Sequence, residues 1–285
     1  FFFKQKTAYE IPKRDWSSDV CSSDLNSQHA LKFNGGLFSL VEVSGSSRDS
    51  YLYGSQLRLE STWTPKWASS VGVGIYGISD KQNLTPAAAG ANPNVPDVSK
   101  GNTRLASQSA PTASFSPIAT DASVTYTMES FPYYPGAFPI KFGGDYINNP
   151  AGGTIPATAL QGAGKRRNEA YSIGMTLGKS GKKGTWDLTY KWKNLEANYW
   201  FEELVDSDHG AWYTKSPFLG PNTAGAGTSY GAGTNIRGHY MRGAYSPTDS
   251  LTLAVTYYLF DLIDKPTGAL SSTTGRIQID AAFKF

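Results

Sequence analysis

The stretch Gly275–Phe285, GRIQIDAAFKF, decides the fold. Ile277, Ile279, Ala281, Phe283 and Phe285 fall on one face of a strand, and Arg276, Gln278, Asp280, Ala282 and Lys284 on the other. The period is two throughout, and the last residue is aromatic. A soluble sandwich strand can alternate in the same way. It rarely sets a terminal apolar face against a face carrying both signs of charge. A transmembrane β-barrel needs that arrangement, because lipid lies on one side of its wall and water on the other.

Upstream segments repeat the pattern. Leu251, Leu253, Val255, Tyr257 and Leu259 oppose Thr252, Ala254 and Thr256, while Trp186, Leu188, Tyr190 and Trp192 oppose Asp187, Thr189, Lys191 and Lys193. Past Asn194 the apolar side passes to Leu195, Ala197, Tyr199 and Phe201, which predicts a bulge at that residue. Alternation also marks 171–178, 122–129, 138–145 and 57–63, and more weakly 67–79, 30–43 and 234–246. In the last of these, Arg242 spoils either choice of face. The expectation is about ten strands, each roughly long enough to cross a bilayer at a tilt.

The connections alternate in length. Thr64–Lys66, Pro132–Ala137, Ser180–Gly184 and Ser246–Ser250 are short, whereas Asp80–Ile118, Asn149–Asn168, Glu202–Gly233 and Asp264–Thr274 are long. Outer-membrane barrels have tight periplasmic turns and long external loops, and a periplasmic Phe285 puts every short turn on the same side. Aromatic residues gather beside the turns: Trp63 and Trp67, then Phe131, Tyr133, Tyr134 and Phe138, then Trp186. Tyr199 and Trp200 lie near the opposite ends. Two such levels match the aromatic girdles of a barrel. The fold class expected is all-β, an antiparallel up-and-down transmembrane β-barrel.

Composition agrees. Thirty glycines, 13% aromatic and 39% hydrophobic residues suit strands and turns. Mean hydropathy is −0.37, so a membrane protein of this composition must be a barrel with a polar lumen rather than a helix bundle. The formal net charge of +3 is small and the basic residues do not cluster, which argues against nucleic acid as a partner. Cys21 is the one cysteine, so no disulfide framework or zinc-thiolate site can form.

Residues 1–25, FFFKQKTAYEIPKRDWSSDVCSSDL, resemble a translated sequencing-library adaptor. The adaptor codons AAG CAG AAG ACG GCA TAC GAG encode Lys4 to Glu10, and a later adaptor stretch reads through Asp15 to Leu25. The segment is set aside from fold reasoning, with no defined place expected for it. About ten strands close only a narrow barrel, whereas a water-filled channel needs roughly sixteen. Residues 26–285 are therefore expected to be the C-terminal part of a larger barrel.

The runs FPYYPGAFPIKFGGDYINNP (Phe131–Pro150) and RGAYSPTDSLTLAVTYYLFD (Arg242–Asp261), with the terminal strand, resemble a bacterial family of outer-membrane porins. The likeness covers most of 26–285. It implies a general or lightly selective pore in the bacterial outer membrane, passing small polar solutes by diffusion, and supplies no catalytic residue. Analogy with other porins implies a homotrimer or a monomer. The strand ending in Phe285 resembles the C-terminal signal read by the barrel-assembly machinery, the other expected partner besides outer-membrane lipid.

The candidate pore-lining residues are the charged ones on the polar faces of the strands: Arg58, Glu60, Glu129, Lys141, Asp145, Asp187, Lys191, Lys193, Arg276, Asp280 and Lys284. Opposite charges facing each other across water set up a transverse field that favours small polar solutes. The alternative role is to pair with neighbours and solvate the wall. Asp206-Ser207-Asp208-His209 is the segment that invites a different class, an outer-membrane surface hydrolase or a calcium site. Nothing adjacent supplies a second carboxylate pair or an oriented nucleophile. His29 and His239 have no triad spacing, and Gly225–Gly233 lacks the Lys-Ser/Thr of a phosphate loop. The expectation is no enzyme and no cofactor, with a non-transporting adhesin or scaffold barrel as a further alternative. The loop Lys81–Pro117, rich in Ala, Asn, Pro, Ser and Gly, either folds into the pore or stays outside.

Overall fold

A computed structural model describes residues 16–41, 49–84, 101–105, 111–159, 162–206, 233–265 and 273–284. They form one antiparallel sheet in which every strand pairs with its sequence neighbours. The strands are β1 (Trp16–Asp24), β2 (His29–Val41), β3 (Ser50–Thr64), β4 (Trp67–Ile78), β5 (Ile118–Met128) and β6 (Phe138–Asn148), followed by β7 (Glu169–Gly178), β8 (Trp186–Leu195), β9 (Ile236–Tyr245), β10 (Leu251–Leu262) and β11 (Thr273–Phe283). Helical structure among the described residues is limited to three 3₁₀ turns, none able to cross a membrane. The order is that of an up-and-down barrel wall. The sheet is not closed, and β1 and β11 are its edges. Strands β2–β11 coincide with the ten alternating segments of the sequence.

The wall is apolar outside and polar inside. Leu57, Leu59, Val71, Val73, Ile75, Phe142, Ile173, Met175, Leu188, Leu253, Val255 and Ile279 are all exposed, Ile75 at 58% and Ile279 at 77%. Their alternate neighbours Arg58, Asp121, Asp145, Ser172, Thr189, Lys193 and Thr256 are half-buried or buried. In water such a surface would be a gross liability; against lipid it is the required one. Tight connections fall at one end of the strands and long ones at the other. Gly178, at φ 72°, ends β7 where a Cβ would lie 2.3 Å from the Trp186 carbonyl, so only glycine fits that hairpin entry.

The apolar core sits on the inner face, at the long-loop end. Leu52 and Ile78 of β3 and β4 share one cluster with Ala170, Leu195, Ile236, Phe260 and Leu262 of β7–β10. Leu84, Ala113, Phe115, Trp200, Phe201 and Val205, from the β4–β5 and β8–β9 connections, fill the space between. Only a curled wall brings those strands to one cluster.

Three expectations are corrected here. First, β8 pairs with β7 and β9 without a register shift, so no bulge interrupts it near Asn194. Leu195 stays in phase and points inward; its apolar character belongs to the loop core. Second, Tyr199 and Trp200 are not girdle residues but are 0% and 4% exposed inside that core. Third, residues 16–24 do have a place: β1 pairs with β2 from Trp16↔Phe38 to Asp24↔Ala30. The free edge of β2 is a template for any extended segment, whatever its sequence. Phe285 lies outside the described residues.

Candidate functional site

The inner wall is best read row by row. One row crosses seven strands as Lys32, Arg58, Gly72, Asp121, Asp145, Ser172 and Lys193. Arg58 reaches over Gly72 to hold Asp121 with Nη2 at 2.8 and 2.6 Å from its two oxygens, while Nη1 donates to Ser70 Oγ at 2.6 Å. A Cβ at Gly72 would lie 2.5 Å from Asp121 Oδ2 and 2.8 Å from Arg58 Nη2, so the glycine makes this cross-strand pair possible. Lys32 binds Glu60 at 2.7 Å. Ser172 donates to Asp145 at 2.8 Å. Lys193 is buried with its ammonium 5.3 Å from the centre of the Tyr240 ring.

The next row carries Glu60, Ser70, Ser123, Gly143, Gly174, Lys191, Tyr240, Tyr258 and Arg276. Between these rows and Lys141 lies a polar cavity of about 510 Å³. Its charged lining is Arg58, Glu60, Asp121, Lys141, Asp145 and Lys191. Five of those six come from the sequence-derived set. Asp121 was missed because the alternating segment read in the sequence begins at Ala122, one residue after it, whereas β5 begins at Ile118.

The remaining candidates scatter. Asp187 is buried on the inner face and accepts from Arg242 Nη1 at 2.6 Å and Ser180 N at 3.2 Å, and also from the Ser180 hydroxyl. Arg242, which had spoiled both faces of 234–246, is thus an inner-face residue whose carboxylate lies two strand positions away in space. Arg276 and Asp280 are on the inner side of edge strand β11, where Asp280 accepts from Gln278 at 3.0 Å. Glu129 and Lys284 are not on the wall. Glu129 follows β5 and pairs with Lys66 of the β3–β4 turn at 2.7 Å; that hydrogen bond and the opposite charge lower the carboxyl and raise the ammonium. Lys284 reaches the Gly181 carbonyl at 3.4 Å, at the tight-turn rim.

The long-loop mouth holds a built polar body that the sequence did not reveal. Arg104 and Glu202 pair at 2.6 Å, fully buried. Asn102 N donates to the other Glu202 oxygen, and the Asn102 amide donates to the Ala197 and Trp200 carbonyls. Thr103 N and Oγ1 donate to Asn198 Oδ1, and Asn149 Nδ2 donates to the Ser114 and Asn198 carbonyls. The described parts of the 81–117 loop therefore fold inward. Lys81 donates to the Thr112 carbonyl at 2.7 Å, and burial pushes its ammonium down. Burial pushes the Tyr199 hydroxyl well up. At the rim, Asp264 gathers Lys165 and Arg167, with Arg167 also 3.2 Å from Glu196.

No metal-competent group of His, Cys, Asp and Glu occurs among the described residues. Of Asp206-Ser207-Asp208-His209, only Asp206 is described. His29 Nδ1 lies 2.9 Å from Ser61 Oγ, with the His29 ring edge-on to Trp63, and His239 Nδ1 lies 2.9 Å from the Tyr190 hydroxyl. Both histidines lie on the outward-facing side of their strands, His29 beside the β3–β4 turn and His239 in mid-strand.

No protein-family model and no curated protein matches the chain, so the porin resemblance gains no support from either. Among solved structures the chain is similar to LpxR from Salmonella typhimurium, at 12% identity over 95% of this chain and 90% of that one, with a TM-score of 0.32. With this neighbour, the expectation of a chain without enzymatic activity is withdrawn.

Proposed function

We propose that this chain forms the wall of a bacterial outer-membrane channel that passes small hydrophilic solutes by diffusion. The carrying observation is the inverted wall: exposed Leu, Ile, Val and Phe outside, and a 510 Å³ cavity ringed by charged groups inside. The girdle of Phe131, Tyr134, Phe138 and Trp186 at the tight-turn end, with ring centroids 4.2–6.0 Å apart, would sit among the headgroups. Lipid, the assembly machinery acting on β11, and small polar solutes are its proposed partners, with a homotrimer as one assembly. Reconstituted in planar bilayers, the protein should give discrete ohmic conductance steps. A barrel that inserts and never conducts would refute the channel.

A second reading, an outer-membrane hydrolase, draws on the loop body. The Arg104–Glu202 lattice occupies the mouth that an open pore would leave clear, and the Asp206–His209 segment follows directly from it. Turnover of lipid esters by the detergent-folded protein, lost in His209→Ala, would favour this reading. Absence of both conductance and turnover would leave the scaffold.

A further inference from the structure

The cavity's charges are not equally committed. Six charged side chains line it, three of each sign. Arg58 is consumed by Asp121, and Glu60 is held by Lys32, which comes from outside the lining. What remains is Lys141 and Lys191 against Asp145, which already accepts a hydrogen bond from Ser172. Neither lysine forms an ion pair with a described residue. The net charge left to a visitor is therefore positive.

The backbone leaves room for that visitor. Lys191 lies across Gly174, where a Cβ would come 2.6 Å from its Cγ, just as Arg58 lies across Gly72. The outcome differs at the far end. Arg58 meets a carboxylate one strand beyond its glycine, whereas the position one strand beyond Gly174 is a second glycine, Gly143. The row thus directs a cation over bare backbone. Lys141 enters from the adjoining row on the same strand as Gly143, and the hydroxyls of Ser123 and Thr176 border the same space.

We infer that Lys141 and Lys191 form a binding site for a small oxyanion, a phosphate or carboxylate group, above Gly143 and Gly174. The cavity holds such an ion together with several waters, and two ammonium groups plus hydroxyl donors supply charge-assisted hydrogen bonds. The inference deepens the channel reading and rests on it for the solute's route, because the site would make the lumen anion-selective.

Inorganic phosphate is the probe. Isothermal titration of the detergent-folded full chain at low ionic strength should show binding that weakens roughly tenfold in Lys191→Gln and in Lys141→Gln, the loss of one charge-assisted hydrogen bond. Lys191→Arg should restore most of it. Heat-modifiable gel migration reports that each variant is folded. Absence of binding, or equal binding in wild type and both Gln variants, overturns the site. Conductance is measured separately. Lysine-dependent phosphate binding in a barrel that never conducts would sink the channel and keep the site, whereas conductance indifferent to phosphate and to both lysines would do the reverse.

Discussion

Arg104 and Glu202 pair at 2.6 Å with side chains 1% and 0% exposed, the one to a loop before β5 and the other to a loop after β8. A buried pair of this kind adds little over an apolar substitute, but removing one partner leaves an uncompensated charge. Glu202→Gln should destabilise the folded barrel by about 3–5 kcal/mol, and Arg104→Met with Glu202→Leu should recover much of that loss. Urea unfolding in lipid vesicles, followed by tryptophan fluorescence, checks this; an unchanged midpoint in Glu202→Gln would refute it.

The rim makes a pH prediction. Burial alone would raise the Asp264 carboxyl, but hydrogen bonds and charge from Arg167 and Lys165 outweigh it and hold the group below the ordinary carboxylate range. Its folded value is thus lower than its unfolded one. The stability it adds is complete above about pH 3.9 and is lost as the pH falls through the folded value. Unfolding midpoints should fall with acid more steeply in wild type than in Asp264→Asn. Parallel curves would contradict the assignment.

Tyr76 fills space that glycines leave. A Cβ at Gly54 would lie 2.3 Å from its ring, and one at Gly74 would lie 2.7 Å from its hydroxyl, while the ring meets Trp200 edge-on at 5.5 Å. Gly54→Ala should cost about 1–3 kcal/mol by overpacking. In a Tyr76→Ala background the same change should be nearly silent. A double-mutant cycle measures the coupling, and strict additivity would show that the ring simply moves aside.

Lipid contact separates the two faces. Val73→Arg, on the outer face, should destabilise by about 2–4 kcal/mol if it lies near the bilayer midplane. Thr125→Lys, on the inner face of the neighbouring strand, should cost far less. Comparable losses at the two positions would contradict the assignment of faces.

Ten strands were legible because each carries its own record: Ile277 and Ile279 need no distant partner to announce a face. The loop body left no such record. Asn102, Thr103, Asn149 and Asn198 are polar residues in aperiodic segments, and only folding shows that they satisfy one another. The same blindness produced the misplaced bulge at Asn194. Leu195, Tyr199 and Phe201 are apolar for the sake of a core contributed by another loop, so local alternation assigned them to lipid. Arg242 was ambiguous for a related reason, its partner Asp187 being legible only across the β8–β9 ladder. At the site, sequence placed Lys141 and Lys191 on the polar face. It could not tell that Arg58 and Lys32 would claim two of the nearby carboxylates.

The lattice at the mouth also fixes an order of events in time. Every ladder of the wall joins consecutive strands, so it can grow one hairpin after another with small loop-closure costs. The ties from Asn102, Thr103 and Arg104 to residues 197–202 cannot form until β5, β6, β7 and β8 are all in position. Before that moment Trp200, Phe201 and Phe115 have no shared pocket to enter. The wall therefore stands before its mouth is latched, and biogenesis passes through an unlatched barrel.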